Sequence, residues 1–200
     1  MPNVLIEPVN NQLEIMCSHR KRWTRDEVRA LAEAGTADIE RLELIEGELY
    51  DTMGKGVPHM LIVHQMVELL REMFGSDRVV QEGSIEVETR DRQTSEPEPD
   101  AIVLNRSVKS FTKWVTAADL SLLVEVSDSS LRFDLNIKAN LYARACIADY
   151  WVVDVKARRV IVHRSPSEGR FRSVASYDVT ESIAPLAAPQ QSLDVKRICE

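Results

Sequence analysis

The stretch Ser121–Tyr142, SLLVEVSDSSLRFDLNIKANLY, runs a strand into a helix and carries Glu125, Asp134, Lys138 and Tyr142 along the way. Ser121–Ser127 is rich in leucine and valine, the composition of a strand covered on both faces. Period two sets Leu123, Glu125 and Ser127 on one face, and Leu122, Val124 and Val126 on the other. A carboxylate in such a run needs a partner, a proton or a metal, because burying it bare costs on the order of several kcal/mol. Asp128–Ser130 reads as a short loop whose serines are loop and N-cap material, and Leu131–Ala148 reads as a helix. On that helix Asp134, Lys138 and Tyr142 recur every four residues and share a face. The short loop lets Lys138 fold back over Glu125. Spacing alone leaves two readings open: a structural ion pair, with Asp134 and Lys138 as a solvated i,i+4 pair, or a functional site.

Working outward, Thr24 and Glu27 form a T-x-x-E capping box, and Val28, Ala30, Leu31 and Ala34 supply an apolar stripe that Gly35 ends. LELIEGELYDTM alternates on either side of Glu46-Gly47 and reads as a β-hairpin. Pro58 opens a helix in which Met60, Leu61, Val63, Val67, Leu70, Met73 and Phe74 recur at helical spacing up to Gly75. Arg78–Gln81, Ser84–Glu88 and Asp100–Leu104 read as strands. Thr89–Pro99, polar and broken by prolines, reads as a loop, and Lys109–Ala118 as helical or irregular. Tyr150–Val155, Val160–Arg164, Phe171–Ser176 and Val179–Ile183 read as closing strands. The order predicts an α/β (α+β) fold, a mixed sheet flanked by helices with extra C-terminal strands. Residues 1–20 read as an arm or edge strand, 21–187 as the domain and 188–200 as a tail.

The 200 residues and 22.7 kDa fit one large domain, or at most one and a half. With 44% apolar and 28% charged residues the chain is neither disordered nor fibrous. No apolar run approaches the roughly 20 residues of a membrane span, and the first residues lack a signal peptide's basic start. Cys17, Cys146 and Cys199 are far apart, which points to reduced thiols and a cytoplasmic setting. The net charge of −7 argues against nucleic-acid binding by overall charge neutralisation. Contact with nucleic acid then has to be local, or mediated by divalent cations on clustered carboxylates. No basic stripe interleaved with aromatics stands out. Seven glycines and no glycine-rich loop make dinucleotide or P-loop chemistry unsupported, and no G-x-S-x-G elbow is present.

Among the remaining candidates, Asp100 opens the apolar run DAIVL after Glu96-Pro97-Glu98-Pro99, at a sheet end where ligands bind, although a turn-forming Asp is the simpler reading. His59 and His64 lie about 140° apart on a helix and cannot share a metal. His59 reads as a cap or surface imidazole, and His163 and His19 as surface residues.

ELIEGELYDTM, a histidine opening a helix, PEPDAIVL, LVEVSDSS, D-x-x-x-K-x-x-x-Y and IADYWVVD together resemble the large bacterial family of restriction-endonuclease-like proteins in the PD-(D/E)XK nuclease superfamily. The resemblance covers roughly residues 23–185. It implies a restriction-endonuclease-like core in which an Asp and a Glu on adjacent strands bind Mg²⁺ or Mn²⁺ and a lysine positions or activates water. Asp100 matches the Asp, Glu125 the Glu, and Glu43 a family acid that completes the metal site. The superfamily lysine lies two residues after the Glu, where this chain has Ser127; Lys138, on the next helix, matches instead. His59 matches a recurring family histidine, and Tyr142 supports the site. The implied function is a divalent-metal-dependent endonuclease acting on phosphodiester bonds, in DNA, as a homodimer. The displaced lysine and the acidic charge favour an alternative, a nuclease fold kept as a non-catalytic binding or assembly module. The active reading expects Asp100, Glu125 and Lys138 to converge with an ion between them; the inactive one expects Lys138 on solvent or Asp134, with Glu125 on an arginine.

Overall fold

The computed structural model describes residues 20–35, 39–51, 56–87 and 90–200. The predicted N-terminal arm, with Cys17 and His19, lies outside them except for Arg20. Helix α1 (Arg25–Glu33) starts on the Thr24–Glu27 capping box. Strands β1 (Leu42–Ile45) and β2 (Glu48–Asp51) form a hairpin whose turn, Glu46-Gly47, has both residues in the left-handed region. Helix α2 (Val57–Phe74) takes Pro58 in its first turn and stops at Gly75. Then come β3 (Val79–Gln81), β4 (Ala101–Leu104) and β5 (Leu120–Ser127). A helical segment α3 (131–144) crosses over to β6 (Asp149–Asp154). The remaining elements are β7 (Arg159–Ser167), β8 (Arg170–Asp178), β9 (Ser182–Ile183), β10 (Leu193–Asp194) and α4 (Val195–Cys199).

Strands β3 to β8 make one six-stranded sheet in sequence order. All neighbours are antiparallel except β5 and β6, which are parallel because α3 carries the chain back across the sheet. The alternation along β5 divides two cores. Leu122, Val124 and Val126 pack with Met66 and Leu70 of α2 and Ile198 of α4. Leu123 packs with Leu141 and Tyr142 of α3 and Ile45 of the hairpin. Glu125 thus faces α3 from the middle of the sheet. Among the described residues no helix is long and apolar enough to cross a membrane, and Cys146 and Cys199 are free thiols.

Several elements differ from their sequence reading. Ser84–Glu88 makes no ladder: among its described residues Glu86 forms a lone bridge to Thr116, and Ile85 donates to the Pro97 carbonyl. Pro97 and Pro99 remove the N–H groups that a paired strand would need. The helix after Ser130 ends at Arg144, not Ala148. Cys146 turns left-handed, and the N–H groups of Cys146 and Ile147 close onto the carbonyls of Ala143 and Tyr142, a Schellman stop without glycine. Strands β7 and β8 run past their expected ends to a tight Glu168-Gly169 turn. Met60 and Leu61 are exposed, and the buried stripe of α2 runs through Ile62, Val63, Met66, Val67, Leu69 and Leu70. The C-terminal segment 193–199 is folded, with Val195 and Ile198 buried.

Candidate active site

The site is assembled from five segments, β1, α2, the residue leading into β4, β5 and α3, that meet at one edge of the α3-side core. Ala101 pairs with Val124 in the antiparallel β4–β5 register, so that register carried one residue further sets Asp100 opposite Glu125. Asp100 Oδ2 accepts the Val126 N–H at 2.8 Å and lies 3.3 Å from His59 Nε2. His59 reaches it from the first turn of α2, where it is buried. It is therefore neither cap nor surface imidazole, and its Nδ1 has no hydrogen-bond partner among the described residues.

Lys138 is the hub. Its Nζ sits 2.9 Å from Glu125 Oε1 and 2.9 Å from Glu43 Oε1. The Tyr142 hydroxyl donates to the same Glu125 oxygen at 2.7 Å. Glu43 arrives on β1, and the Glu98 N–H donates to its Oε1 at 2.8 Å. The hairpin is fastened to the 94–98 segment by Glu96 N–H to Leu44 O and Gly47 N–H to Thr94 O, both 2.7 Å.

The helix that delivers Lys138 is not a plain α-helix. Asp134–Lys138 is a π turn between the α segments Leu131–Phe133 and Ala139–Arg144. Such bulges recur at functional sites because they reorient the side chains they carry. The Asp134 carbonyl accepts the Ala139 N–H and also the Tyr150 hydroxyl, at 3.1 Å. The Asp134 carboxylate is buried and accepts Ser127 Oγ at 2.6 Å and Ser130 Oγ at 2.5 Å. The solvated Asp134–Lys138 pair thus gives way to a buried serine-bound carboxylate. Ser130 occupies the N-cap position, but its hydroxyl serves Asp134 and not the helix end.

The electrostatics follow from burial and from unequal numbers. Glu43, Asp100, Glu125 and Asp134 are all buried beside a single ammonium. Burial, reinforced by Asp134, Asp100 and Glu43, pushes Glu125 well above the usual carboxylate range against the pull of Lys138. Burial likewise raises Glu43 and Asp134. For Lys138 burial works against the charge, yet Glu125, Glu43 and Asp134 outweigh it and its pKa rises, so the ammonium is kept. Tyr142 is held neutral by burial and by Glu125. An open cavity of about 700 Å³ lies over this cluster, lined by Glu43, His59, Asp100, Glu125 and Lys138 with Tyr50 and Phe133 as its aromatic wall. The two rings pack 4.4 Å apart.

A family model described as putative restriction endonuclease, Uma2, matches residues 25–196. The chain belongs to the Uma2 family. A solved structure of a putative nuclease from Anabaena variabilis superposes with a TM-score of 0.62 at 16% identity, covering 88% of this chain and 96% of that one. This likeness establishes a shared fold, the mixed sheet flanked by helices. A comparison with curated proteins finds no match.

In this Uma2 member the six residues singled out from sequence come together: Asp100, Glu125, Lys138, Glu43, His59 and Tyr142, with Tyr142 behind Glu125 and not on the cavity wall. Among the described residues no three His, Cys, Asp or Glu side chains already converge as a ready-made metal site. His163 is buried, not superficial, and packs against Tyr150 and Phe171. Sequence reasoning missed Ser127 and Ser130 as the groups that hold Asp134. The signal was present in period two, which puts Ser127 on the face of Glu125.

Proposed function

We propose that this Uma2 chain is a divalent-metal-dependent endonuclease that hydrolyses phosphodiester bonds in DNA, with Asp100, Glu125 and Lys138 as catalytic residues. The observation that carries the reading is the surplus of buried carboxylates over one lysine at the floor of an open cavity. Asp100, Glu125 and Glu43 offer hard oxygens suited to Mg²⁺ or Mn²⁺, which bind through few carboxylates and keep several waters. The donor set and its excess negative charge fit such an ion. When bound it would supply positive charge for the phosphate and lower the pKa of water.

The chain's own groups do the rest. Lys138 keeps its proton and presents a point charge that orients water or pairs with a phosphate oxygen. Tyr142 fixes Glu125 by its hydroxyl, His59 and the Val126 N–H fix Asp100, and Tyr50 with Phe133 shield one wall from water. Lys138 lies on Glu125 and Glu43, and among the described residues no arginine pairs with Glu125. This supports the catalytic reading over the non-catalytic module. Cutting two strands favours twofold assembly, so a homodimer belongs to the same proposal.

The test is cleavage of supercoiled plasmid. The wild type should nick or linearise it with Mg²⁺ or Mn²⁺ and not with EDTA, and Lys138→Met should lose at least about a hundredfold in rate. Full activity in EDTA, or in Asp100→Asn, would contradict the proposal.

A further inference from the structure

The floor of the main cavity repels phosphate, so a polyanion needs a footing outside it. A second depression of about 500 Å³ adjoins the first and shares Asp128 and Ser129 with it. It lies where the parallel strands β5 and β6 end, and Arg132 and Lys156 line it. Both side chains are exposed. Arg132 makes no ion pair with a described residue, whereas Lys156 forms a long ion pair with Asp128 at 3.7 Å. Two acids line it as well: Asp128, which Lys156 offsets, and Asp154, which is neutralised within the fold, with Arg159 Nε at 3.0 Å and the Ala157 N–H at 3.1 Å. The charge along this rim therefore changes sign, from surplus carboxylate at Lys138 to surplus cation at Arg132, within one turn and a half of the same helical segment.

We infer that Arg132 and Lys156 form a phosphate-binding subsite that grips the DNA backbone next to the scissile phosphate and leads the strand into the cavity. The inference rests on the nuclease reading above and names the groups that let an acidic protein hold a polyanion. Arg132 provides a planar fork for phosphate oxygens and Lys156 a mobile point charge. Neither supports the core, so both can be removed without unfolding the protein.

The experiment measures binding of a fluorescein-labelled duplex oligonucleotide by anisotropy in Ca²⁺ across a series of salt concentrations, together with steady-state cleavage in Mg²⁺. The protein is the full chain, as wild type, as Arg132→Ala/Lys156→Ala, and as the remote pair Lys109→Ala/Lys113→Ala. The remote pair follows the far end of β4 and changes the net charge equally. The rim variant should weaken binding about tenfold, lower the log–log salt slope by about two, and raise KM with kcat held. The remote pair should leave the slope near that of the wild type. Equal slopes in wild type and rim variant, or equal losses in both double variants, would overturn the subsite and leave the nuclease reading standing. A wild type that neither binds nor cuts DNA would remove both.

Discussion

Glu125 shares its ammonium with Glu43, and that sharing makes the two ends of the ion pair unequal. Removing Lys138 strands two or more buried carboxylates, whereas neutralising Glu125 leaves Lys138 on Glu43 and keeps an oxygen for Tyr142. Urea unfolding in metal-free buffer should therefore show Lys138→Met about 3–5 kcal/mol less stable than wild type, and Glu125→Gln within about 1 kcal/mol of it or above. The pH dependence has a definite sign. Glu125 and Glu43 titrate above their ordinary 4.5 in the folded state, so above 4.5 these two groups hold more protons in the folded protein than in the unfolded chain. Stability then falls as pH rises through that window. Lys138 acts at the other end: its raised pKa stabilises the fold below 10.5, and that support is lost as pH climbs through the folded value. In metal-free buffer the melting temperature should rise as pH is lowered from neutrality toward about 5, and Glu125→Gln should flatten that rise. A melting temperature that falls over the same range would contradict the assignment.

At the scale of elements, the α3 segment and β6 hold each other through the Tyr150 hydroxyl on the Asp134 carbonyl. Tyr150→Phe should cost about 1 kcal/mol, a drop of about 2–4 °C in melting temperature for a chain of this size. The far-UV spectrum should stay unchanged. Elements with a strong local signal were legible in the residues: the capping box of α1, the Glu46-Gly47 hairpin, and the two-sided apolar run of β5. Features set by tertiary context were not. The π turn has no periodicity of its own over five residues. The stop after Arg144 uses a left-handed cysteine where sequence reading looks for glycine. Ser84–Glu88 has strand composition, but its would-be partner segment contains prolines. The same contrast holds inside the site. Asp100, Glu125 and Lys138 were recognisable from motif order, while the burial of His59 depends on Asp100, 41 residues away in the chain.

Across the whole molecule, the last residues close the core on the side away from the site. Val195 and Ile198 are buried against α2, and the Val195 N–H donates to the Glu181 carbonyl. Removing residues 193–200 exposes those two side chains and should lower the urea midpoint by an amount equivalent to about 3–6 kcal/mol, at about 1.5–3 kcal/mol for each large apolar side chain. Metal affinity per folded molecule should be unaffected, because the carboxylate cluster lies on the opposite face of the sheet. The net charge of −7 fits the same division of labour. Negative charge is gathered at the cavity floor, where the proposed function places a cation, and the proposed phosphate subsite lies at the rim.

The proposed function turns on Asp100 and Glu125 forming a divalent-cation site and not merely a buried ion-pair network. It is tested most directly by calorimetric titration of Mn²⁺ into the wild type and into Glu125→Gln, with folding of both checked by melting. The wild type should bind saturably, and the folded variant should lose that binding. Equal binding by both proteins, or none by the wild type even with DNA present, would contradict the proposed cation site.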